Sequence, residues 1–148
     1  MMNTKSRAMR QVLLVEDDPG DVVLARESLG SLRVPFQLAV VEDGVEAMNY
    51  LRHEGQFAGA ARPDLVILDL NLPRVNGWSV LRGIKSDARL KSIPVIVLTT
   101  SKSEDDVRAA YELGANCFIC KPAGLVGYEN AMQRLGEFWL HIALLPDT

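Results

Sequence analysis

Asp69 follows the apolar run Leu65-Val66-Ile67-Leu68, so it is the polar residue that closes a buried strand. Other apolar runs also end in reactive groups: Val12–Val15 in Glu16-Asp17, Val95–Leu98 in Thr99-Thr100, and Cys117–Cys120 in Lys121-Pro122. If these runs are strands of one parallel sheet, their carboxyl ends share an edge, and ligands of open α/β sheets bind outside that edge. Three carboxylates, a hydroxyl and an ammonium would meet there. Clustered carboxylates repel, and one takes a proton unless a cation joins them. Mg2+ is the natural partner, since it takes one or two carboxylates together with water and phosphate oxygens. Glu16 and Asp17 are then metal ligands, and Asp69 offers an oxygen to phosphorus, as aspartyl-phosphate nucleophiles do. Lys121 and the cation would share the charge of the phosphoryl oxygens, with the Thr99 hydroxyl bonding one of them. Asp18 reads as a helix cap, and Asp21 as a carboxylate facing a helix dipole.

The elements that must position these groups are legible around them. Continuous β-branched and leucine runs mark strands buried on both faces, as in a parallel sheet. Weaker runs at Phe36–Val41 and Cys117–Cys120 predict strands nearer the edges. Helices alternate with them. Asp18-Pro19 opens the first, and Asp43 with Glu46 forms a capping box for the second. The third starts near Gly77, Ser103 with Asp106 caps the fourth, and Gly114 stands where a left-handed residue ends it. A fifth runs from about Gly124 towards Leu144. Five β-α units with right-handed crossovers give a doubly wound α/β sandwich.

With 148 residues, 48% apolar and 24% charged, the chain fits one soluble domain. A net charge of −3 gives no general affinity for nucleic acid or anionic membrane. The longest greasy stretch, Phe138–Leu145, is far short of the ~20 residues of a membrane span. No signal peptide is visible, so the expected location is cytoplasmic. Cys117 and Cys120 lie three residues apart on an extended strand, which spans roughly 10 Å and points the side chains to opposite faces. A disulfide needs Cα atoms within about 7 Å, so two buried free thiols are expected. His53 and His141 read as surface or interface residues.

Taken jointly, Glu16-Asp17, Asp69, Thr99 and Lys121-Pro122 resemble, in order and spacing, the receiver domain of two-component response regulators (CheY-like). The resemblance covers about residues 11 to 136. It implies a flavodoxin-like (βα)5 fold with strand order 2-1-3-4-5, and phosphoryl transfer to Asp69 from the phosphohistidine of a histidine kinase. It also implies a metal site of Glu16, Asp17, Asp69 and the Asn71 backbone carbonyl, a cis bond between Lys121 and Pro122, and a switch made by Thr99 and Phe118. The segments Val15–Asp21 and Leu98–Ser101 and the tail Phe138-Trp139-Leu140 with Leu145-Pro146 are similar to single-domain regulators that partner phytochrome-type and related hybrid kinases. The implied layout is an N-terminal tail over 1–10, a receiver over 11–137 and an extension of helix five over 138–148. That layout leaves no room for a DNA-binding domain, so output would run through protein contact or phosphorelay.

Three departures stand out: Thr100 where receivers often carry alanine, Phe118 in place of a tyrosine, and Ala123 where many have an aromatic. On the fifth helix, Tyr128, Met132, Leu135, Trp139 and Ile142 recur at spacings 4, 3, 4, 3. Packing on the sheet explains most of that stripe. Aromatics are nonetheless enriched at interfaces, and Phe138, Trp139, Ile142 and Leu145 are the expected homodimer or partner surface. A haloacid-dehalogenase-like phosphatase needs a second acid two residues after its nucleophile, where Asn71 stands, and asparagine is no general acid. A pseudo-receiver serving only dimerisation does not account for an intact acid set. No glycine-rich nucleotide loop supports autonomous kinase activity.

Overall fold

The computed structural model describes residues 9–146. Five strands, β1 (Arg10–Val15), β2 (Phe36–Val41), β3 (Leu65–Leu68), β4 (Val95–Thr99) and β5 (Cys117–Cys120), alternate with five helices. The helices are α1 (Pro19–Gly30), α2 (Gly44–Arg52), α3 (Gly77–Ser86), α4 (Glu104–Glu112) and α5 (Leu125–Gly136). The strands pair in parallel in the order 2-1-3-4-5.

The alternation of side chains along each strand divides the core in two. Leu13, Val15, Val66, Leu68, Val95 and Val97 pack with Ala47, Val80, Leu81 and Ile84 from α2 and α3. Val12, Leu14, Leu65, Ile67, Ile96 and Leu98 face Ala25, Leu29, Met132 and Leu135 from α1 and α5. Both faces of β1, β3 and β4 are therefore dry, which is why these strands are apolar without interruption.

Capping follows the local sequence. Asp18 accepts from the backbone N–H groups of Gly20 and Asp21 with Pro19 at the first helical position, Asp43 accepts from Glu46, and Ser103 from Asp106. The Glu46 carboxylate reaches past the cap to the N–H of Glu42. Gly114 has φ 109°, the left-handed conformation that glycine tolerates. Among the described residues no helix is long and apolar enough to cross a membrane.

Four expectations need correction. No peptide bond among the described residues is cis, so Lys121–Pro122 is trans. The two isomers of an X–Pro bond differ by only about 0.5–1 kcal/mol, so sequence does not fix the choice. Both cysteines are free, yet half-buried, because β5 is an edge strand. The fifth helix changes to a π-helical segment, Glu137–Ile142, with the Ala143 N–H donating to the Phe138 carbonyl. The wider turn shifts the stripe by one residue: Leu140 is buried while Ile142 is exposed. Leu145 is also buried against its own chain, beside a tail whose Pro146 lies near Pro63 and Pro94. It is therefore unavailable to a partner. Residues 1–8 of the expected N-terminal tail, and 147–148, lie outside the described residues.

Candidate functional site

The parallel ladder continues past the strand ends and grips the polar residues there. The Glu16 N–H donates to the Val41 carbonyl, the Asp69 N–H to Val15, and the Lys121 N–H to Thr99. Glycine then brings the next helix close. A Cβ on Gly77 would sit 2.3 Å from the Asp69 carbonyl oxygen and 2.4 Å from Leu70 Cα, so only glycine lets α3 start against the exit of β3. Asn76 caps that helix.

Lys121 is the hub. Its Nζ donates to Glu16 Oε1 at 2.8 Å, Asp21 Oδ2 at 2.8 Å and Asp69 Oδ2 at 3.0 Å. The other oxygen of Asp69, Oδ1, accepts from the Asn71 N–H at 2.9 Å, and Glu16 Oε2 accepts from the Asp18 N–H at 3.2 Å. Glu16 and Asp69 are buried, whereas Asp17 is exposed at the rim. Carboxylate oxygens of Glu16, Asp17 and Asp69 all lie within 4.8 Å of one another.

The charge balance favours a cation. Burial, reinforced by the charge of Asp69, pushes the Glu16 carboxyl up to about 7, although Lys121 pulls the other way. A lysine divided among three carboxylates leaves each under-compensated. Burial alone would depress Lys121; its hydrogen bonds to Asp21, Glu16 and Asp69 raise it well above the ordinary lysine range instead. Two negative charges therefore remain in excess around Lys121, with Asp17 adjacent. An all-oxygen donor set with surplus negative charge fits a hard divalent ion.

The Thr99 hydroxyl is 1% exposed at the residue level, and its Oγ1 has no hydrogen-bond partner among the described residues. An unpaired buried hydroxyl costs stability, and this one is free to donate to an acceptor at the sheet edge. Thr100, beside it, is exposed. Phe118 is half-buried against the first core, and its backbone N–H donates to the Tyr111 hydroxyl of α4.

The sequence-derived residues Glu16, Asp17, Asp69, Thr99 and Lys121 thus converge on one edge. Phe118 lies one strand position from Ile119 and faces the other core, and Phe138 and Ile142 lie on the π-helical segment. Asp21 went unrecognised, because a carboxylate in a first helical turn needs no partner beyond the helix dipole. The available signal was that α1 begins at the same edge. The helical stripe gives Tyr128 only a packing role. Its hydroxyl lies 3.4 Å from the Asp21 carbonyl, and burial with the Asp21 charge raises its phenol above the usual range.

Residues 12–132 match the family model described as response regulator receiver domain. The response regulator Rcp1 of Synechocystis sp. is 41% identical over 145 residues, covering 98% of this chain and 99% of Rcp1. Among solved structures, phosphorylated RcpA, a cyanobacterial phytochrome response regulator, superposes with a TM-score of 0.92 at 48% identity, over 95% of this chain and all of RcpA. The Mn2+-bound form of Rcp1 gives 0.91 at 42% identity, over 93% and 99% of the two chains. Receivers of this kind pair with histidine kinases and are not a family of enzymes acting on free substrates. Sheet order, converging acids and near full-length similarity agree, and the chain belongs to the response regulator receiver family.

Proposed function

We propose that this chain is a single-domain response regulator of the cytoplasm that accepts a phosphoryl group on Asp69, with Mg2+, from the phosphohistidine of a phytochrome-type histidine kinase. The observation that carries it is the placing of Asp69, buried at the strand end with one oxygen on Lys121 and the other on the Asn71 N–H, within the Glu16–Asp17 acid cluster. An oxygen of Asp69 bonds to phosphorus as the phosphorus–nitrogen bond to the kinase histidine breaks, and the departing imidazole keeps the bonding pair. Glu16, Asp17, Asp69 and the Asn71 backbone carbonyl would hold Mg2+, which when bound supplies neutralising charge for the phosphoryl oxygens. Lys121 donates to one of those oxygens, and Thr99 to another. Asn71 stands where a haloacid-dehalogenase-like phosphatase carries its general acid, and an amide cannot take that role, so the chain holds phosphate rather than turning it over rapidly.

Phosphorylation brings roughly 1.5 to 2 negative charges and strong acceptors to the edge. Thr99 moves to satisfy them, and the space it vacates lets Phe118 pack deeper, altering the face made by α4, β5 and α5. Output passes through protein contact or phosphorelay. Phe138, 49% exposed, lines an apolar groove of about 490 Å3 together with Cys117, Ile119 and Trp139, Ile142 on the same π-helical segment is 60% exposed, and we assign a homodimer contact to this face. The relation to RcpA supports a phytochrome-type kinase. Phosphotransfer profiling against phytochrome-type and unrelated kinases, with Mg2+ and with chelator, tests the reading. Rapid Mg2+-dependent labelling by the phytochrome class is expected; labelling that ignores the chelator, or transfer only from unrelated kinases, would overturn it.

A further inference from the structure

Lys121 can form three hydrogen bonds through its ammonium, and among the described residues all three go to carboxylates. Two of those partners, Glu16 and Asp69, also belong to the cluster that fits a divalent ion; Asp21 does not. An ion held by Glu16, Asp17 and Asp69 competes with Lys121 for two of its three anchors. Only the Asp21 anchor is independent of the ion.

Asp21 is fixed for such a task from both sides. Its backbone N–H donates to the Asp18 carboxylate at 3.3 Å, and its carbonyl faces the Tyr128 hydroxyl of α5 at 3.4 Å. Its side chain is 25% exposed, against 9% for Lys121, so Asp21 stays partly hydrated while its partner is enclosed. The pair also borders an open depression lined by Thr100, Lys102 and Cys120.

Resting on Asp69 as the phosphoacceptor, we propose that Asp21 is a positioning residue that gives the Lys121 ammonium an anchor of its own, so that a divalent cation can take Glu16 and Asp69 from it while the lysine remains within reach of the phosphoryl group. Without Asp21, the ammonium falls wholly onto the two cation ligands and competes with the ion. The lysine is then both a stronger rival of the metal and less well aimed.

The test is a double-mutant cycle on the full chain, with Mg2+ affinity read from calorimetry and labelling by acetyl phosphate measured separately. Asp21→Asn keeps shape and leaves the cap at Asp18 intact. It should weaken Mg2+ binding about fivefold, the scale of one lost charge-assisted hydrogen bond partly replaced by the others. In a Lys121→Met background the same substitution should change Mg2+ affinity less than twofold, because the competitor is gone. Loss of a nearby negative charge acting on the ion directly would instead weaken binding equally in both backgrounds, and that result overturns the proposal. So does an unchanged affinity in Asp21→Asn alone. Failure of the acceptor assignment is distinguishable: Asp69→Asn would then still be labelled by acetyl phosphate, whatever the calorimetry of the Asp21 variants.

Discussion

Replacing Glu16 by glutamine should stabilise the metal-free protein, and by an amount that depends on pH. Glu16 is 1% exposed, and its carboxyl is pushed up to about 7 from an ordinary 4.5. A raised carboxyl means that the folded state binds a proton that the unfolded chain has lost. Stability from this group is therefore full below pH 4.5 and disappears as pH rises through 7. With those two values, linkage gives a loss of roughly 2–3 kcal/mol between pH 5 and pH 8. Glutamine does not titrate. It keeps one acceptor oxygen, for either Lys121 or the Asp18 N–H, and turns an amide N–H toward the other, an offset that is the same at every pH. The gap between Glu16→Gln and wild type should thus move by roughly 2–3 kcal/mol in favour of the variant over that range, or roughly 5–10 °C in melting temperature. Urea denaturation in chelator at unit pH steps measures it. With saturating Mg2+ at pH 8 the order should narrow or reverse, because wild type alone retains the full acid set. A gap that stays constant from pH 5 to 8, or moves in favour of wild type, refutes the reasoning that burial and Asp69 leave Glu16 under-compensated.

Thr99→Val removes a buried hydroxyl that has no partner, so the unphosphorylated protein should keep or gain up to about 1 kcal/mol in denaturant melts. The same variant should lose the phosphorylation-induced change in the NMR signals of Phe118; a normal Phe118 response would count against Thr99 as the link. Gly77→Ala forces a Cβ into the Asp69 carbonyl and Leu70, and should cost roughly 2–4 kcal/mol while slowing labelling of Asp69, by equilibrium unfolding and phosphotransfer assays. Phe138→Ser with Ile142→Ser alters only exposed positions, so melting temperature should hold while sedimentation shifts towards monomer. Truncation after Glu137 is the poorer test, since it strips the buried Leu140 and Leu145 from the fold.

The legible parts of this protein share one physical cause. Runs such as Leu65–Leu68 are apolar throughout because cores lie on both sides, and the acids and lysine that follow them have only the sheet edge to occupy. That made Asp69, Thr99 and Lys121 readable from position alone. Asp21 was not, because its pairing with Lys121 joins residues 100 positions apart and depends on where α1 sets its first turn. The π-helical turn was equally silent: one extra residue per turn leaves the apolar stripe intact in sequence while exchanging Leu140 for Ile142 at the core. Half-burial of Cys117 and Cys120 follows from β5 being an edge strand, which its weaker apolar run predicts; the expectation of fully buried thiols did not carry that edge position through.

The central claim is that Asp69 carries the phosphoryl group. Intact-mass measurement after Mg2+-dependent transfer from a phytochrome-type kinase, followed by borohydride reduction and peptide mapping, addresses it directly. The account predicts one phosphoryl group on wild type, mapped to Asp69, and none on Asp69→Asn. Phosphate on the Asp69→Asn protein, or a modified peptide that lacks Asp69 in wild type, would contradict it.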